Sequence, residues 1–96
     1  MNEILSKVKS ALGITSSAQD ETLNVYIDGV KAYMIAAGVS SAVVDDKKSY
    51  GAIVSGVIDT WNYGSGEINL SPYTKERIIQ LKYDEPTTNT EGNWYV

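Results

Sequence analysis

Trp61-Asn62-Tyr63-Gly64-Ser65-Gly66-Glu67-Ile68-Asn69-Leu70-Ser71-Pro72 is the stretch on which the fold reading turns. It holds a helix stop, an irregular crossing and a helix start in succession. Two glycines and two asparagines favour turns over any regular element. Ser71 then suits an N-cap, and Pro72 suits the first helical position, where its missing N–H costs nothing. Ile78, Ile79, Leu81 and Tyr83 supply the apolar side chains of the helix that follows, Tyr73 to Tyr83.

Upstream of the stretch the pattern is helical as well. Tyr50, Ile53, Val54, Val57, Ile58 and Trp61 recur at helical spacing and define the buried face of a third helix, capped by Asp45 or Asp46. Gly51 and Gly56 lie near that face, which suggests close contacts with a neighbouring helix. Ser40 to Val44 reads as a linker. A second helix runs from about Ser17 to Ala37, with Ser16 or Ser17 as N-cap and Asp20 completing a capping box. Its apolar stripe is Leu23, Tyr26, Ile27, Val30, Tyr33, Met34 and Ala37. Gly29 weakens its interior by roughly 1 kcal/mol against Ala, and a close helix crossing would explain it. Gly38 stops the helix. A first helix starts at Met1 or Asn2, carries Ile4, Leu5, Val8 and Leu12 on one face, and ends at Gly13, a left-handed C-terminal cap. The expected fold class is all-α: a small bundle of about four helices with a long loop between the last two. Residues 1–83 form the helical domain and 84–96 an extended tail.

Composition narrows the function classes. The chain has 96 residues, enough for one domain with a modest core. It has no Cys and no His, which removes thiolate chemistry, the commonest metal ligands and the commonest general base. Eight basic residues face twelve acidic ones, a net charge of −4, against the basic face a free-standing duplex binder would carry. Met1-Asn2-Glu3 begins no signal peptide, and the longest apolar stretches, such as Tyr33 to Val39, fall well short of the roughly 20 residues of a membrane span. The expectation is an intracellular product with no membrane partner.

Chemical motifs are weak. Asp45-Asp46 could hold a hard cation, but Lys47 and Lys48 follow, and a calcium site needs about six to eight oxygens. Asp20-Glu21 stabilises a helix N-terminus rather than flanking a scissile bond. Gly64-Ser65-Gly66 lacks a Lys-Ser/Thr ending and follows a helix, unlike a phosphate loop. No catalytic, cofactor-binding or metal residues are assigned. Seven Tyr and two Trp invite a base-stacking reading, but Tyr26, Tyr33, Tyr50 and Trp61 fall on core stripes. Trp94 and Tyr95 stand apart after a polar tail. They either anchor on another subunit or fold back onto their own.

The order of these segments resembles the head–tail connector (head-completion adaptor) proteins of tailed bacteriophages. The resemblance rests on Ile4-Leu5-Ser6-Lys7-Val8-Lys9-Ser10-Ala11-Leu12-Gly13-Ile14, then Asp20-Glu21, Leu23 and Val30-Lys31-Ala32-Tyr33-Met34. It continues with Val57-Ile58-Asp59-Thr60-Trp61-Asn62-Tyr63, Leu70-Ser71-Pro72 and Ile78-Ile79-Gln80-Leu81-Lys82-Tyr83. Family members often carry an aromatic-Asn-Arg motif after the third helix and a Leu-Arg pair near the end of the fourth. Here Tyr63 and Lys82 take the places of those arginines, which bears on subunit contacts more than on the fold.

The resemblance implies a subunit without catalysis that forms a ring, commonly a dodecamer, beneath the portal protein. The ring extends the DNA channel and meets a tail-side connector or stopper protein. It implies a virion protein of the head–tail interface, made in the host bacterial cytoplasm, past which DNA slides without specific binding. Tyr63, Glu67, Ile68, Trp94 and Tyr95 are the expected partner contacts; Glu67, Asp84 and Glu85 are candidates to face the channel. The alternative is a small nucleic-acid-binding regulator using the fourth helix, with Lys75, Arg77, Gln80 and Lys82.

Overall fold

Helix ends are set where the backbone can close its own hydrogen bonds. The computed structural model describes residues 3–64 and 66–85. Over these residues the chain is all-α, with five helices and no strand: α1 Glu3–Leu12, α2 Asp20–Ala36, α3 Ser41–Val44, α4 Tyr50–Tyr63 and α5 Pro72–Leu81. A 3₁₀ turn, Lys47–Ser49, leads into α4. The expected helix start at Met1 or Asn2, and the anchors Trp94 and Tyr95, lie outside the described residues.

The glycine stops act as expected. Gly13 takes φ +73°; its N–H donates to Ser10 O, and the Ile14 N–H donates to Lys9 O at 2.9 Å. This paired pattern satisfies two carbonyls that the last helical turn leaves free. Gly38 ends α2 in the same way, with the N–H of Val39 donating to Met34 O at 3.0 Å. Val39 and Met34 are both buried, the apolar contact that accompanies such a cap.

Two boundaries differ from the sequence reading. The capping box at Ser17 does not form: α2 begins at Asp20, behind Gln19, which makes no side-chain cap. The Asp20 carboxylate instead accepts from Lys9 Nζ at 2.7 Å and ties the start of α2 to the end of α1. A partner eleven residues away outcompetes the local cap. Ser40 to Val44 is not a linker but a short helix, because the Ser40 hydroxyl accepts from the Val43 N–H at 3.2 Å. Asp46 does cap, but it caps the 3₁₀ turn, through the Lys48 N–H. Ser49, fully buried, directs its hydroxyl at the carbonyls of Val44 and Asp46 at 2.7 and 2.8 Å. These bonds join α3, the turn and α4 into a continuous corner.

α4 is the hub, packing against α1, α2 and α5. Tyr26 meets Trp61 edge-to-face, with centroids 6.4 Å apart, and Val30 lies over Gly56, so α2 and α4 run antiparallel. Arg77 lies beside Gly51 and Thr74 beside Ser55, so α5 also runs antiparallel to α4. The buried seam of α2 is Leu23, Ile27, Val30 and Met34, narrower than the expected stripe; Tyr33 sits at its edge and is 38% exposed. The buried face of α4 is rotated toward small residues: Ala52, Ile53, Gly56, Val57 and Thr60. Tyr50, Val54, Ile58 and Trp61 are half-buried beside it. Without a side chain at Gly56, Val30 and Leu70 approach so closely that a Cβ there would lie 3.0–3.1 Å from them. Tertiary approach therefore outweighs the helix-propensity cost of that glycine.

Candidate functional site

The segment between α4 and α5 concentrates the expected partner contacts, and the structure sorts them into inner and outer residues. Gly64 closes α4 in the left-handed conformation, φ +79°, with its N–H donating to Thr60 O at 3.2 Å. Tyr63, on the last turn, is 64% exposed. Glu67 is exposed as well. Ile68 turns inward and is half-buried against the core. Its side chain occupies the space over Gly29, where a Cβ would lie 2.6 Å from Ile68 Cδ1. The reason for Gly29 is thus a loop side chain rather than a helix crossing. Leu70, buried, follows and lies over Gly56 together with Val30.

A polar network beneath the segment holds it in place. The Asn69 N–H donates to Thr60 Oγ1 at 3.1 Å, and the Ser71 N–H donates to Asp59 Oδ2 at 3.0 Å. Ser71 also caps α5, its hydroxyl accepting from the Thr74 N–H at 3.2 Å. The hydroxyl of Thr74, a fully buried residue, donates to Asp59 Oδ2 at 2.6 Å. It accepts from the Ser71 hydroxyl at 3.2 Å, and the Ser55 hydroxyl at 2.6 Å supplies the second acceptor contact. One donor and two acceptor sites saturate a hydroxyl. Burial of Asp59 by itself raises its pKa. The hydrogen bonds from the Thr74 hydroxyl, the Ser71 backbone and the Ser71 side chain outweigh it and hold the carboxyl below its ordinary value.

The sequence reading missed this network. Its signal is Ser55 and Asp59 one helical turn apart, with Thr60 beside them, a polar stripe on an otherwise apolar helix.

The structure gives the other candidates structural roles. Asp20 pairs with Lys9, Asp46 caps a turn, and Gly64 is a helix cap. No group of three or more acidic, His or Cys side chains among the described residues is arranged to hold a metal. Among them, no helix is long and apolar enough to cross a membrane. On α5, Arg77 lies over the Tyr73 ring, 5.8 Å from its centroid, and donates to the Tyr73 hydroxyl at 3.2 Å. Asp84 and Glu85 are exposed beyond the helix end.

An open groove of about 440 Å³ lies between α1 and the start of α4. Tyr50, Gly51 and Val54 form its floor, and Glu3, Lys7 and Lys47 its rim.

No curated protein sequence and no solved structure gives a match to this chain. A family model described as "Phage connector protein" matches residues 4–95, from the first buried residue of α1 through the tail. That match spans nearly the whole of a chain that is all-α over its described residues, and the chain belongs to the phage connector protein family.

Proposed function

We propose that this connector protein is a head–tail connector subunit that assembles as a ring, a dodecamer, beneath the portal protein. The ring would extend the DNA channel and offer its far side to a tail-side connector or stopper protein. Its place would be the virion, at the head–tail interface, after synthesis in the host bacterial cytoplasm.

The observation that carries the reading is the segment between α4 and α5. Its inner side is anchored by Asp59 and Thr60, while Tyr63 and Glu67 face outward. An aromatic side chain held on a pre-formed backbone loses little entropy on docking, which suits a contact between subunits. The net charge of −4 supports passage rather than capture of DNA, since a wall that neutralises few phosphates gains little from counterion release. Glu67, Asp84 and Glu85 are the acids proposed for that wall. A regulator reading through α5 has less support, because Arg77 is engaged with Tyr73 and Lys82 lies along Gly38.

Two variants test the contacts. Tyr63→Ala, and separately deletion of Trp94 to Val96, are each expected to weaken assembly by tenfold or more, about 1.4 kcal/mol per tenfold. Melting of the dilute subunit should stay nearly unchanged. Sedimentation across a concentration series reads the first quantity, and thermal melting the second. A large fall in melting temperature on tail deletion would place the tail in the subunit's own core instead.

A further inference from the structure

The rim of the α1–α4 groove carries two lysines and one acid, Glu3, a net positive charge in a chain that is acidic as a whole. Lys7 and Lys47 stand on its edge with Glu3. Among the described residues, no acid forms an ion pair with Lys7 or Lys47. Beneath them, Tyr50 and Val54 offer a half-buried apolar floor. The complement to such a groove is an acidic segment carrying large apolar side chains.

The chain carries one such segment itself. After Lys82 it has Asp84, Glu85 and Glu91, no Lys or Arg, and then Trp94-Tyr95-Val96. Its point of departure fits too. Because α5 runs antiparallel to α4, the chain leaves α5 at the end of the bundle where Lys47, Tyr50 and Gly51 stand. From Glu85 to Trp94 it can span about 30 Å.

We infer that the groove lined by Lys7, Lys47, Tyr50 and Val54 receives the acidic, aromatic tail of a neighbouring copy, with Trp94 and Tyr95 over the apolar floor. This rests on the ring reading above. Tail and groove are two different surfaces of one chain, so joining them between copies makes a head-to-tail contact. Repetition of that contact with a closing rotation builds a ring. The lysines steer the acidic tail, and the aromatic side chains supply the buried area.

The chain's lack of cysteine allows a clean test. Glu3→Cys and Asn93→Cys, made in separate chains, are mixed, assembled and oxidised, and the covalent products are weighed. A disulfide between the two variants, in excess over like-with-like pairs, is expected, and the double variant should give a ladder of linked subunits. Lys47→Glu, at an exposed position, should cut the yield at least tenfold, and Lys47→Arg should retain it. A double variant closed within single chains, with no cross-linked pair, would overturn the inference by showing the tail on its own subunit. Rings that form without either bond would overturn it and leave the ring reading standing. Absence of both rings and bonds, with the portal protein added to the mixture, would remove the ring reading and this inference with it.

Discussion

Ile53→Ala is expected to destabilise the subunit by about 3–4 kcal/mol, a large share of the ~5–15 kcal/mol that holds a domain of this size. Ile53 is fully buried on α4, the one helix that packs against α1, α2 and α5 together. Truncation removes methylene groups from water-free contacts and leaves a cavity. Neighbours such as Val30, Val57 and Met34 are themselves fully buried and packed in the same cluster, so little collapse can fill it. Urea unfolding at subunit concentrations too low for assembly measures the loss without the added stability that association brings. The midpoint should fall with the slope unchanged, and the melting temperature should fall by more than about 10 °C. Ile79→Ala is the control. Ile79 is 48% exposed on α5, and its loss should cost less than about 1 kcal/mol.

Asp59→Ala is expected to cost about 2 kcal/mol near neutral pH. The carboxylate accepts from the Thr74 hydroxyl and from the Ser71 N–H, and hydrogen bonds to a charged group contribute roughly 1.5–3 kcal/mol each when dry. Asp59 is half-buried, so water replaces part of what is lost and the lower figure applies. Thr74→Val deletes the partner while keeping its shape. The double variant should be less damaged than the sum of the singles, a coupling of about 1 kcal/mol.

The same carboxylate gives the wild-type protein an acid dependence. Its folded pKa is depressed, so its contribution is complete above the ordinary aspartate value near pH ~4. The contribution is lost as the pH falls through the lower folded value. Stability measured from pH ~6 down to ~2 should therefore fall less steeply in Asp59→Ala than in the wild type. The released segment should also exchange its amide hydrogens faster, Ser71 first, because its N–H donates to Asp59 itself.

These expectations separate what local sequence can express from what only tertiary structure decides. The helix stops at Gly13, Gly38 and Gly64 and the start at Ser71-Pro72 were legible, because a cap is built from residues within one turn. So was the seam of Leu23, Ile27, Val30 and Met34, which repeats at helical spacing. Asp20 misled because its partner, Lys9, is on another helix, and a local window sees only Ser17 as its companion. Ser40 to Val44 lacks the length for a periodic signal, although Ser40 carried the cap.

The candidate site divides in the same way. Tyr63 and Glu67 are exposed on the segment that the resemblance marks for partner contact, whereas the inward turn of Ile68 depends on the vacancy over Gly29, on a different helix. Asp59, Thr60 and Thr74 look like ordinary polar surface residues in sequence. Only the return of the chain between α4 and α5 brings them together. Trp94 and Tyr95 fall within the span of the family match, which extends beyond the Glu3–Tyr83 stretch that carries the sequence resemblance.

The central claim is ring assembly, and native mass measured across a concentration series, with and without the portal protein, tests it most directly. Imaging of the largest species should accompany it. The connector reading predicts a closed ring of a single size, a dodecamer, whose formation is promoted by the portal. A strict monomer or dimer at every concentration, with the portal present, would contradict it.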